Sequence, residues 1–142
     1  MIKLTTTQAR AVAAKIRERL FDHNEKVKKE IEEKYKGSDE YKNKQREIHE
    51  AVITLWQTSL KTGLIFGINV SGYYSSHYIY SEDDLKSVEE HLVNNLVRDY
   101  INKNDTTKHV PDEDKLVTDL IFESLTSDGI EELMNKFIQQ YI

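Results

Sequence analysis

The stretch Leu64-Ile65-Phe66-Gly67-Ile68-Asn69-Val70-Ser71-Gly72-Tyr73-Tyr74-Ser75-Ser76-His77-Tyr78-Ile79-Tyr80 decides how the whole chain is read. Aromatic and β-branched residues crowd it, and it holds no Asp, Glu, Lys or Arg. Such residues suit a half-buried pleated surface. Ser71-Gly72 supplies a turn between two short strands, Leu64–Val70 and Tyr73–Tyr80. The competing reading carries the preceding helix on through Gly63 and Gly67. Two glycines would cost that helix about 2 kcal/mol against alanine, so a β-hairpin is expected. A lone hairpin is marginal in water and must pack on helices or on a partner.

Outward from the hairpin the pattern is helical. Thr5 and Gln8 make a capping box. Ala9, Val12, Ala13, Ile16, Leu20, Val27, Ile31 and Tyr35 then form a stripe of helical period. A first helix of roughly 30 residues would be about 45 Å long. Gly37-Ser38-Asp39 interrupts it, with Gly37 suited to a left-handed helix end and Ser38 to the next cap. Tyr41, Ile48, Val52, Leu55, Trp56 and Leu60 mark the inner side of a second helix, stopped at Gly63. The short break predicts an antiparallel αα-hairpin.

Beyond the hairpin, Ser81 is expected to open a third helix, with Glu82, Asp83 and Asp84 at its positive end. Tyr80 and Leu85 stand at hydrophobic-staple spacing. The apolar face of this helix runs from Leu85 through Val88, Leu92 and Val97 to Ile101. Residues 102–111 read as a loop. Pro111 precedes a fourth helix with Leu116, Val117, Leu120, Ile121 and Leu125 inward. Ser127-Asp128-Gly129 separates it from a fifth, with Ile130, Leu133, Met134, Phe137, Ile138, Tyr141 and Ile142. The expected fold is mostly α, with a long antiparallel helical hairpin over 1–62, a small aromatic β-hairpin over 63–80 and three C-terminal helices over 81–142. These are read as one domain.

Composition narrows the function. The 142 residues include no Cys, which excludes disulfides, thiolate metal sites and a cysteine nucleophile. Net charge is −5, and it is uneven. Residues 1–50 carry 13 Lys and Arg against 10 Asp and Glu, and residues 51–142 carry 7 against 15. The acidic total opposes non-specific nucleic-acid binding but leaves room for a basic face. No apolar run is long enough to span a bilayer. The first residues lack a signal-peptide core, so a cytoplasmic protein is expected, within the host if phage-encoded. Many Lys relative to Arg suit an AT-rich bacterial or phage genome.

No two of His23, His49, His77, His91 and His109 stand at a ligand spacing on one helical face, so no metal is expected. Phosphate-loop, dinucleotide and nucleophile-elbow motifs are absent, and no cofactor is expected. An enzymatic site around His77 ranks last, because no base and nucleophile are brought together by sequence.

Two surfaces remain. Tyr73, Tyr74, His77, Tyr78 and Tyr80 form the densest aromatic cluster. Strand alternation puts Tyr74, Tyr78 and Tyr80 on one face and Tyr73, His77 and Ile79 on the other. Tyrosine combines large contact area with a polar tip, so this is the candidate partner-binding site. Lys3, Arg10, Arg17 and Lys28 form a basic stripe beside the apolar seam of the first helix, a candidate nucleic-acid contact. The bland alternatives are that one tyrosine face covers the helical core, and that the basic stems cover the edge of the seam. The expected function is a non-enzymatic protein-interaction module, such as an adaptor, a phage structural component or an inhibitor docking on a larger protein or ribonucleoprotein machine. It is also expected to self-associate as a homodimer. The runner-up is a nucleic-acid-associated protein.

Overall fold

In the computed structural model, residues 2–68 and 77–142 are described. Among them are five helices, α1 (Thr6–Lys36), α2 (Asp39–Thr62), α3 (Asp84–Asn104), α4 (Glu113–Ser124) and α5 (Ile130–Gln140), and two strands, β1 (Gly67–Ile68) and β2 (His77–Tyr78). The chain is mostly α with a small antiparallel hairpin.

Local chemistry sets most boundaries. The Thr5 N–H donates to Gln8 Oε1 at 3.0 Å and the Gln8 N–H donates to Thr5 Oγ1 at 3.2 Å, the reciprocal capping pair that starts α1. Between α1 and α2, Gly37 does not take the left-handed conformation, which only Gly63 adopts among the described residues. Ser38 makes the break instead: its hydroxyl donates to the Tyr35 carbonyl and accepts from the Tyr41 N–H. At the far end of α2, Gly63 has φ +68° and its N–H closes on the Ser59 carbonyl at 2.9 Å. The helix therefore stops before the hairpin and does not run on through Gly67.

Helix α3 begins three residues later than Ser81 suggested. The Asp84 carboxylate folds back to accept from the Tyr80 and Ser81 N–H groups, at 3.0 and 3.1 Å, and holds Ser81–Asp83 as a turn. The acidic run thus ties the hairpin to α3. Tyr80 is exposed and makes no staple with Leu85; Ile79 fills the core beside Leu85 instead.

Packing gathers the residues into two compact units that do not follow chain order: residues 1–29 with 106–142, and residues 30–105. Helix α1 contributes to both. In the first unit Ala9, Val12, Ala13, Ile16 and Leu20 of α1 are buried with Leu116, Val117 and Leu120 of α4 and Leu133, Met134 and Phe137 of α5. The break between α1 and α2 stands where expected, but the stripe from Ala9 to Leu20, expected to pack antiparallel on the second helix, is buried by residues from the end of the chain instead. The Ile2 N–H bonds the carbonyls of Ser124 and Ser127, which ties the N-terminus to the turn after α4. Ser124 and Ser127 are buried there, whereas Leu125 and Ile130, expected inward, lie exposed. Leu125 follows the end of α4, so the 3.6-residue period of that helix no longer applies to it, while Ile130 is the first residue of α5.

In the second unit Val52 of α2, Val88 and Leu92 of α3 and Ile79 form the buried centre, with Ile48, Leu55, Trp56, Ile68 and Leu85 half-buried around it. The buried side of α2 continues through Ser59, leaving Leu60 exposed. Tyr35 stacks on Tyr100 with centroids 3.7 Å apart, and Tyr41 meets Tyr35 edge-on at 5.3 Å. Burial and the nearby Glu40 carboxylate raise the Tyr35 phenol above its ordinary pKa.

Candidate interaction face

The hairpin places its side chains by two rules: alternation along each strand, and a shared face for residues directly opposite. Gly67 pairs with Tyr78 and Ile68 with His77. The Ile79 N–H reaches the Phe66 carbonyl at 3.5 Å, continuing the same register. Ile65 and Tyr80 then fall opposite each other, beside Gly67 and Tyr78. Burial follows this division. Ile79 is 1% exposed, and Phe66, Ile68 and His77 are half-buried. On the other side Ile65 is 57%, Tyr78 49% and Tyr80 66% exposed.

The expected alternation is therefore correct for 77–80. Among the described residues one face, with Ile79 and His77, covers the helical core, and the other, with Tyr78 and Tyr80, is bare. The strands are shorter than expected, since 64–66 and 79–80 flank the ladder without joining it. Tyr73, Tyr74 and the Ser71-Gly72 turn lie outside the described residues.

The outer face is apolar and aromatic. Tyr78 and Tyr80 have ring centroids 6.0 Å apart and tilted by 35°, a loose pair that leaves both rings open. Leu60 and Leu64, also exposed, flank the hairpin in sequence at the α2 end. Leu60, Leu64 and Ile65 had not been singled out as site residues. Ile65 follows from the observed register, which puts it opposite Tyr80, whereas the expected two-residue turn would have put it opposite Tyr78.

His77 points to the inner side and meets His91 of α3 edge-on, with centroids 4.3 Å apart. This contact joins β2 to α3 and separates His77 from the outward tyrosines with which it had been grouped. His49 Nδ1 lies 2.9 Å from Glu89 Oε2, a second link, between α2 and α3. Among the described residues no three His, Asp or Glu side chains stand close enough to share a metal ion.

The basic stripe is altered. Lys3 precedes the capping residue Thr5 and is not on the helix. Arg10 and Lys28 do lie on α1. Arg17 lies half-buried, its guanidinium carbon 5.5 Å from the Phe21 ring centre. No helix among the described residues is long and apolar enough to cross a membrane. The chain matches no family model, no curated protein and no solved structure.

Proposed function

We propose that this protein is a non-enzymatic interaction module that works in the cytoplasm and binds another protein through the outer face of its hairpin. The observation that carries this reading is the bare row of Ile65, Tyr78 and Tyr80 beside a buried row on the same two strands. Exposed tyrosines on a packed support provide contact area at small entropic cost. Leaving them in water gains the fold nothing, whereas desolvating aromatic anchors commonly supplies much of an interface's energy. An uncharged face of this kind fits a partner that is itself apolar at the contact. An adaptor or an inhibitor that docks on a larger assembly would use such a surface.

The nucleic-acid reading loses support, because Lys3 is off the helix and the stripe on α1 is reduced to Arg10, Arg17 and Lys28. The experiment is affinity capture from the source cell's lysate with the native chain and with a Tyr78→Ser, Tyr80→Ser double variant. A protein recovered by the first and lost by the second, with matching thermal melts, supports the proposal. Equal recovery by both variants removes the hairpin face as the site.

A further inference from the structure

The first unit carries a second surface that the hairpin does not explain. Arg10, Arg17, Phe21, Asn24 and Lys28 fall on one line along α1, spaced by seven, four, three and four residues. No Asp or Glu stands on that line. Phe21 is half exposed, although it lies off the buried stripe. On either side of it, Arg17 Nε and Asn24 Oδ1 are buried without a hydrogen-bond partner. The Asn24 amide donates to the Lys108 carbonyl at 3.1 Å, so the open parts of this line are the Phe21 ring and the cations beside it.

A complementary surface lies on α4 and α5 of the same unit. Phe122 is 75% exposed, the most exposed large apolar side chain among the described residues. It borders a groove of about 240 Å3 with Thr118, Asp119, Glu123, Phe137 and Gln140. Lys136 neutralises Glu123 at 2.8 Å, whereas Asp119 has no cation partner among the described residues. The wider charge follows the same division. Residues 1–29 hold eight Lys and Arg against three Asp and Glu, and residues 106–142 hold three against eight.

We infer that the groove of Phe122 and Asp119 receives the Arg17–Phe21 line of α1 from a second copy of this chain. An aromatic anchor with a cation on one side meets an aromatic anchor with an anion on the other. Opposite charge steers the encounter and fixes its orientation, and the buried rings supply the contact area. Because the two surfaces differ, the contact is heterologous: each copy offers both halves, and association extends beyond a dimer unless the rotation closes a ring. This surface is separate from the hairpin face, so either proposal can fail alone.

The test is light scattering on the full chain over a concentration series at low and high salt. The native chain should rise above its 16.6 kDa protomer mass with concentration at low salt, and fall back as salt screens the charges. Arg17→Glu and Asp119→Lys should each remove the rise while leaving circular-dichroism melts in place. Mixed one to one, they should regain the rise, because opposite charges again meet at both contacts between unlike variants, Arg17 with Asp119 and the new Glu with the new Lys. Phe122→Ser should remove the rise without touching charge. A native chain that stays monomeric throughout, single variants that associate like the native chain, or a mixture that stays monomeric would each overturn the inference.

Discussion

The two units bury their apolar side chains differently. The first encloses a cluster running from Leu4 through α1 to Val110, α4 and α5, in which Ala9, Ala13, Ile16, Leu20, Leu116, Leu120 and Leu133 have no exposure. The second has a smaller sealed centre, Val52, Ile79, Val88 and Leu92, ringed by half-buried Ile48, Leu55, Trp56, Ile68 and Leu85. Three helices can surround a core on all sides. Two helices and a short hairpin leave an edge, and large side chains must lie along it half in water. The unit with the thinner core is also the one that displays Ile65, Tyr78 and Tyr80, so the bare aromatic face and modest burial occur in the same place.

Truncating a sealed leucine in each unit would break that comparison or sharpen it. Leu120→Ala should cost about 3–5 kcal/mol, because close-packed neighbours cannot collapse into the space. Leu92→Ala should cost less, about 2–3 kcal/mol, since half-exposed neighbours can shift toward it. Denaturant melts of both variants decide, and equal losses would mean that the two cores are equally rigid. Gly63→Ala should cost about 1–2 kcal/mol, because φ is +68° there and a Cβ strains the left-handed conformation although it meets no neighbouring atom.

Smaller and more gradual is the effect of alkali. The Tyr35 pKa is raised in the folded chain, so the folded state keeps the phenol proton at a pH where the unfolded chain has released it. That contribution is complete below about pH 10, the ordinary tyrosine value, and is lost as pH climbs through the raised one. Melting temperature should fall above pH 10, and Tyr35→Phe should flatten the fall while keeping the stack on Tyr100. Tyr78→Ser should change stability least, within about 0.5 kcal/mol, as expected for an exposed position. A larger loss would mean that the outer face supports the fold.

Much of this arrangement was legible before any packing was known. The Thr5–Gln8 cap, the Ser38 cap and the Gly63 stop depend on groups within four residues of one another, and short-range geometry alone determines them. The hairpin was legible in kind, since two glycines and an uncharged β-branched run disfavour a helix. Alternation over 77–80 was legible for the same reason. The α1 stripe was legible as a buried face, but not its partners: its period says only that something covers it. Phe21 and Phe122 carried a signal as well, because each stands off the stripe of its own helix.

Tertiary structure decided the rest. It assigned α4 and α5 to Ala9–Leu20 and α3 to Val52, a choice among several faces of similar apolar character. It brought His77 to His91 and Tyr35 to Tyr41 and Tyr100, contacts between residues up to 65 positions apart. It left Leu60, Leu125 and Ile130 exposed at or just beyond helix ends. It also set which side of the hairpin faces the helices, placing Ile79 in the core and Tyr78 and Tyr80 in water. The sequence determines periods and caps because these act over a few residues. Which periodic faces meet depends on the summed burial of the whole chain, and no local window contains that sum.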